Sequence, residues 1–378
     1  MKDLEKFRDP GIAKALIKEI RIMAARETER LGRRAVFMEV CGTHTVAVSR
    51  AGLRGILGDY IDLRSGPGCP VCVTDYGDVD RMVRFARLRG NVTVGTFGDM
   101  VRVPGSDSSL ERERAMGADV RILYSPADAV RYALDNPQRE VVFLGVGFET
   151  TAPATALAIK EAKARNLENF SVFLAHKLVP PAMEVLLSDP ELKIDGFILP
   201  GHVSAIIGRK AYTFLEGYGL PSVIAGFEPN DILDAIRLIL KMMGEGESRV
   251  VNGYTRVVRE DGNMIARRQM EDVFTVCDAS WRGFGAIPRS GMAISSDYKD
   301  LDASQRFLPA PVTPRIPTGC VCGEILKGKL TPRDCRLFAK SCDPRRPVGP
   351  CMVSSEGACA AYYQFDRHLK GVADDALQ

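Results

Sequence analysis

From residue 35 onward, short apolar runs without polar alternation recur along the chain, separated by stretches whose apolar positions have helical spacing. "RAVFMEV", "YIDLRSG", "NVTVGTF", "DVRILYS", "EVVFLGVG", "FSVFLAH", "IDGFILPG" and "PSVIAGF" have the make-up of strands. Helices are expected between them in "DVDRMVRFARLRG", "SLERERAMG", "ALAIKEAKARN", "PPAMEVLLSD" and "KAYTFLEGYG". Strands that are apolar on both faces and spaced by helices predict parallel sheets covered on both sides. So many units exceed one small open sheet. Typical domain size favours two α/β domains over a single barrel.

The expected fold class is therefore α/β, with two Rossmann-like parallel-sheet domains facing a central cleft, over residues 1–125 and 126–245. Ahead of the first strand, Ile12, Leu16, Ile20 and Met23 share one face of a charged N-terminal helix. After the helix "NDILDAIRLILKMM" the rhythm breaks. "GEGESRVVNGYTRVVREDGN" reads as a linker with a short hairpin, and "MIARRQMEDVFTVCDASW" as a helix that packs Cys277 into a core. The Pro-rich "RFLPAPVTPRIPTG" then leads into a cysteine-rich tail. A third, smaller domain, mainly helical or irregular, is expected over 246–378.

Composition narrows the chemistry. The net charge is +3 over 378 residues, which gives no general pull toward nucleic acid or a membrane surface. No apolar run approaches the ~18 residues of a membrane span, and the charged N-terminus is no signal peptide. A cytoplasmic protein is expected. Ten cysteines in that compartment point to metal or redox chemistry rather than structural disulfides.

In parallel α/β sheets, ligands bind beyond the carboxyl ends of the strands. The unusual residues fall there: "CGTHT", "GPGCPVC", "TFGDMVRVPG", "GFETTAP", "AHK", "PGHVS" and "GFEPND" each follow a predicted strand. One such loop could simply cap a helix. Seven at one end of the sheets indicate a shared cleft. Candidate cleft residues are Thr43, Asp99, Arg102, Thr150, Thr151, His176 and Glu228, with Glu149 and His202 as candidate catalytic residues. Glu149 and Glu228 could polarise incoming ligands or cap helices, and His176 and His202 could equally be structural.

Cys69 and Cys72 form a C-x-x-C pair, read first as a dithiol that opens and closes, since no second pair exists nearby to complete a zinc site. The six tail cysteines, Cys320, Cys322, Cys335, Cys342, Cys351 and Cys359, suit soft thiolate ligation of zinc or an iron–sulfur cluster. Their spacing does not choose four of the six. If "CVC" is extended, Cys320 and Cys322 point to opposite sides and would not ligate together.

Taken together, these motifs and the tail "GCVCGEILKGKLTPRDCRLFAKSCDPRRPVGPCMVSSEGACAA" resemble the HypD family of hydrogenase maturation proteins over nearly the whole chain. The resemblance implies a scaffold on which the Fe(CN)2CO unit of [NiFe]-hydrogenase is assembled, in complex with HypC and with cyanide received from HypE. It implies that Cys41 holds that transient iron, with Cys69 and Cys72 included in the metal site. His44 would serve as a base or a donor to the Cys41 thiol. Cys322, Cys335, Cys342 and Cys359 would ligate a [4Fe–4S] cluster, leaving Cys320 and Cys351 as a redox pair. Without its partners the chain is expected to be a monomer. The competing reading is a cluster-dependent dithiol oxidoreductase of the ferredoxin–thioredoxin reductase type. A nucleotide-binding protein is disfavoured, because the sequence has no GxxxxGK[ST] or GxGxxG loop.

Overall fold

In the computed structural model, which describes residues 5–307 and 313–368, each of the eight apolar runs is a strand. They are β1 (Ala35–Glu39), β2 (Ile61–Ser65), β3 (Val92–Thr96), β4 (Asp119–Ile122), β5 (Glu140–Gly145), β6 (Phe170–Leu174), β7 (Gly196–Pro200) and β8 (Ser222–Ala225). Central strands such as β1 and β7 are buried at every position, as strands covered on both faces must be. The edge strand β2 alternates instead, and its outward Asp62 and Arg64 pair with each other at 2.8 Å.

The strands form two parallel sheets, but not in the expected halves. One sheet runs β2-β1-β7-β8-β9, where β9 is Val250–Asn252, and the other runs β4-β3-β5-β6. A boundary at residue 125 does not separate them, because β1 and β2 belong to the larger sheet and β3 and β4 to the smaller. The four-stranded unit is an insertion between β2 and β7 of the five-stranded one. The segment expected to be a short hairpin instead adds β9 as a parallel edge strand beside β8.

The long helix Pro10–Leu31 starts where Asp9 accepts hydrogen bonds from Gly11 and Ile12, with Pro10 at its first position. Of its predicted stripe, Ile20 is fully buried, Leu16 and Met23 are half-buried, and Ile12 lies 43% exposed. That face packs on the helix Pro229–Glu245 and covers the five-stranded sheet.

The stretch expected as one helix is a helix followed by a hairpin. Met264–Val273 is helical, then β10 (Phe274–Trp281) turns back through Gly283 into the antiparallel β11 (Gly285–Ile294). Helical and alternating patterns meet at Val273 without a breaker, which is why the junction is hard to read. Cys277 accordingly sits on a strand, half-buried with its sulfur over Gly291, not in a helical core. The tail is short helices and turns, as expected. Residues 308–312 of the Pro-rich stretch lie outside the described residues.

Candidate functional site

Each sheet has one place where its strand order reverses, between β1 and β7 in the larger and between β3 and β5 in the smaller. Loops diverge there and leave room for a ligand. "CGTHT" and "PGHVS" leave the first switch point, and "TFGDMV" and "GFETT" the second.

Cys41 ends the extended segment after β1 and stands immediately before the helix Gly42–Arg50, 7% exposed. Burial and the Glu356 carboxylate push its thiol up to about 12, while the backbone amides of His44 and Thr43 and the Thr43 hydroxyl favour the thiolate. The thiol is therefore protonated at neutral pH, with the groups that would support a thiolate already aimed at it. Thr43 donates its hydroxyl to Glu356 at 2.5 Å. Two glycines permit this crowding. A Cβ on Gly42 would lie 2.5 Å from the Glu356 Cβ, and one on Gly68 would lie 2.1 Å from the Cys41 nitrogen. The Gly42 amide also donates to the Gly68 carbonyl at 2.9 Å, which binds the "GPGCPVC" loop to the Cys41 loop.

In that second loop Cys69 and Cys72 are joined in a disulfide, with Cα atoms 5.2 Å apart and both residues buried. Cys69 precedes the short helix Pro70–Val73 and its sulfur accepts from the Cys72 amide at 3.1 Å. The two cysteines of the C-x-x-C motif are thus bonded to each other across the first turn of that helix.

His44 is not a partner of the Cys41 thiol through its ring. Nε2 donates to the Gly226 carbonyl at 2.9 Å, Nδ1 has no partner, and burial lowers the ring to about 4, so it is neutral. Its ring packs on Phe227 at 4.7 Å, and His202 stacks on the same phenyl at 4.0 Å. "GFEPND" thus brings Phe227 to the site. Glu228 pairs instead with Arg8 at 2.5 Å at the head of Pro229–Glu245, which holds it well below the usual carboxylate range.

From the other sheet, Glu149 is 1% exposed, and burial pushes its carboxyl up to about 7. Oε1 accepts from the Val179 amide at 3.0 Å, and Oε2 has no partner. So Glu149 caps a helix with one oxygen and keeps the other free. Thr150 is half-buried beside it. Thr151 shares a 3.1 Å hydrogen bond with Nε2 of His176, whose ring burial lowers to about 3. Tyr212, which the sequence did not single out, is fully buried, and its hydroxyl is pushed well above its ordinary value, first by burial and then by its nearness to Glu149.

Asp99 and Arg102 face the tail, not the space beside Cys41. Asp99 accepts from Ser354 and Ser355 at 3.0–3.2 Å, and Arg102 donates to the Pro344 carbonyl at 2.6 Å. With Glu356 over Cys41 and Asp366 bonded to Ser49 at 2.6 Å, they dock the tail on both sheets' loops. Glu356 carried no signal of its own in the sequence, since its contact with Thr43 spans 313 residues.

All six tail cysteines line one small apolar cavity. Cys320 and Cys322 are side by side, against the expectation from an extended "CVC". Val321 adopts φ −106°, ψ 24°, and Cys322 already begins a helix, so the two sulfurs turn to the same side, both near Gly349. The Cys322 thiol contacts both Cys320 and Cys351. The helix carrying Cys351, Pro350–Val353, packs on the disulfide helix Pro70–Val73. Among the described residues no group of three or more His, Cys, Asp or Glu is arranged to hold a metal ion, and no helix is long and apolar enough to cross a membrane.

Residues 11–366 match a family model described as "HypD: Hydrogenase formation hypA family". The chain is 45% identical over 375 residues to the hydrogenase maturation factor HypD of Rhodobacter capsulatus, covering 97% of this chain and 98% of that protein. It is 43% identical over 367 residues to the hydrogenase maturation factor HypD of Escherichia coli K12, with 97% and 98% covered. The motif loops and the similarity over nearly the whole length lead to one assignment: the chain belongs to the HypD family of hydrogenase maturation factors.

Proposed function

We propose that this maturation factor assembles the Fe(CN)2CO unit on Cys41, in complex with HypC and with cyanide delivered by HypE, in a cytoplasmic setting. The observation that carries this reading is the continuity of the cysteines. The Cys41 loop is hydrogen-bonded to the disulfide loop, and the disulfide helix is packed on a helix of the six-cysteine tail. Iron carrying CN⁻ and CO is soft, which suits a thiolate. Iron binding would displace the Cys41 proton, and the amides of Thr43 and His44 would then hold the thiolate. His202, exposed at the rim, and Glu149, with its free Oε2, are the groups that could meet incoming ligands.

We read the tail cavity as the place of a cluster rather than of a single zinc. Four thiolates on one zinc at about 2.3 Å converge on a point, whereas each iron of a [4Fe–4S] cluster takes its own thiolate. Six thiols lining a common apolar space support the second reading over the first. Cys322, Cys335, Cys342 and Cys359 would be the ligands. When bound, such a cluster supplies one electron at a time. Cys69 and Cys72 can hold two, which is what release of cyanide from a thiocyanate to leave a thiol consumes. Cys320 and Cys351, free thiols on either side of the Cys322 contact, would be the second redox pair. A general disulfide reductase would need an exposed active pair, yet Cys69 and Cys72 are 3% and 0% exposed.

The test is infrared spectroscopy of the protein purified anaerobically with HypC. CN and CO stretching bands are expected from the wild type and absent from Cys41→Ala, with iron content in the tail retained. Bands of normal intensity in Cys41→Ala would overturn the reading.

A further inference from the structure

The smaller sheet, which does not carry Cys41, reaches the Cys41 turn through one turn of the tail. Asp99, half-buried in the short helix Gly98–Val101 after β3, takes three hydrogen bonds on a single oxygen. Its Oδ2 accepts from the Ser354 hydroxyl at 3.0 Å, the Ser355 amide at 3.1 Å and the Ser355 hydroxyl at 3.2 Å. The Gly357 amide closes that turn on the Ser354 carbonyl at 3.0 Å.

Ser354 is buried and passes the contact on. Its hydroxyl oxygen accepts the Glu356 amide at 3.2 Å, and Glu356 Oε1 accepts the Thr43 hydroxyl at 2.5 Å. A continuous chain of hydrogen bonds therefore runs from Asp99 through Ser354 and Glu356 to Thr43, two residues past Cys41. At the far end the fit is close. Around the place of a Cβ on Gly42, the Glu356 Cβ, carbonyl oxygen and Oε2 lie at 2.5, 2.7 and 3.1 Å. The carboxylate thus spans Gly42 and Thr43, the two residues that open the helix behind Cys41.

A hydroxyl that donates to a carboxylate while accepting an amide cannot rotate without losing one of the two bonds. Asp99 therefore fixes Ser354, and Ser354 fixes the backbone of Glu356. A charge held beside a buried thiol acts on every ion that approaches it.

We propose that Asp99 is a positioning residue for the Cys41 site: it sets the Glu356 carboxylate on the Cys41 turn, where that charge admits cations and turns away free anions. The proposal rests on Cys41 being the iron anchor and gives that anchor a filter by charge.

The test uses the full chain as purified and follows alkylation of Cys41 by peptide mass, with neutral iodoacetamide and anionic iodoacetate in parallel. The ratio of iodoacetate to iodoacetamide rates, set against that of N-acetylcysteinamide, reads the charge at the thiol. Wild type should disfavour iodoacetate at least about threefold. Asp99→Ala and Glu356→Gln should both bring the ratio close to that of the free reference thiol. Asp99→Asn keeps an oxygen for the same three donors and should stay near wild type. A wild-type ratio in Asp99→Ala would overturn the proposal even if both reagents react faster, since mere loosening does that. Should Asp99→Ala fail to fold, Ser354→Ala breaks the chain while keeping both carboxylates, and the same two outcomes decide. Infrared bands from the complex with HypC decide separately whether Cys41 carries the iron.

Discussion

Glu149 carries a cost that pH can expose. Its carboxyl is raised to about 7 in the folded chain, so the folded state binds a proton more tightly than the unfolded one. The resulting stability is fully present below an unfolded value near 4.5 and is lost as pH rises through about 7. Glu149→Gln keeps an oxygen for the Val179 amide and removes the titration. Chemical denaturation should show the variant gaining about 3 kcal/mol relative to wild type between pH 5 and pH 8. A difference that is the same at both pH values would show that Glu149 is solvated. At this scale the sequence was informative where chemistry is concentrated in a motif. Cys41, Cys69, Cys72 and Glu149 were all legible from loops at strand ends. Glu356, Phe227 and Tyr212 were not, because each matters through contacts made far along the chain. His44 and Glu228 were legible as residues but not as roles, since a ring or carboxylate takes whichever partner the fold offers.

At the scale of elements, the hairpin β10–β11 is where local pattern misled most. "FTVCDASW" alternates in burial, yet it directly continues a helical run, so period alone gave no boundary. The first strand of the hairpin ends in Trp281, the only tryptophan of the chain, which is fully buried and bridges to Thr74 after the disulfide helix. Its indole donates to Ser290 at 2.8 Å and stacks on Phe148 at 5.9 Å. Reduction of Cys69–Cys72 relaxes the turn that holds Thr74, and should therefore alter tryptophan emission. Fluorescence during titration with a dithiol reductant should change in one step in the wild type. The Cys69→Ser, Cys72→Ser double variant should stay flat. A wild-type trace as flat as the variant's would mean that the hairpin does not sense the disulfide.

For the whole molecule, strand existence was readable but sheet membership was not. Apolar runs say that a strand is covered on both faces, not which strand lies beside it. The return of β7 to pair with β1 is therefore invisible to any local pattern, and a linear division at residue 125 was the natural misreading. Tail docking is a property of this scale too. Arg54, buried between Glu39 at 3.1 Å and Asp366 at 3.5 Å, ties the last described turn to β1 and β2. Removing one partner of such a pair strands a buried charge.

The insertion also has a consequence in time. A ribosome releases β1 and β2 about 130 residues before β7, which at 5–20 residues per second is a wait of roughly 7–26 s. By the end of that interval the inner sheet, β3 to β6, has all its strands, whereas the outer one still has only its first two. The inner unit should thus become protected first. Pulse proteolysis of stalled nascent chains should find fragments spanning β3–β6 resistant while the β1–β2 segment is still cleaved. Resistance of β1–β2 before β7 has emerged would reverse that order. Until β7 arrives, the edge of β1 that β7 will occupy is open to other strands, so the newborn chain is most exposed to mispairing in those seconds.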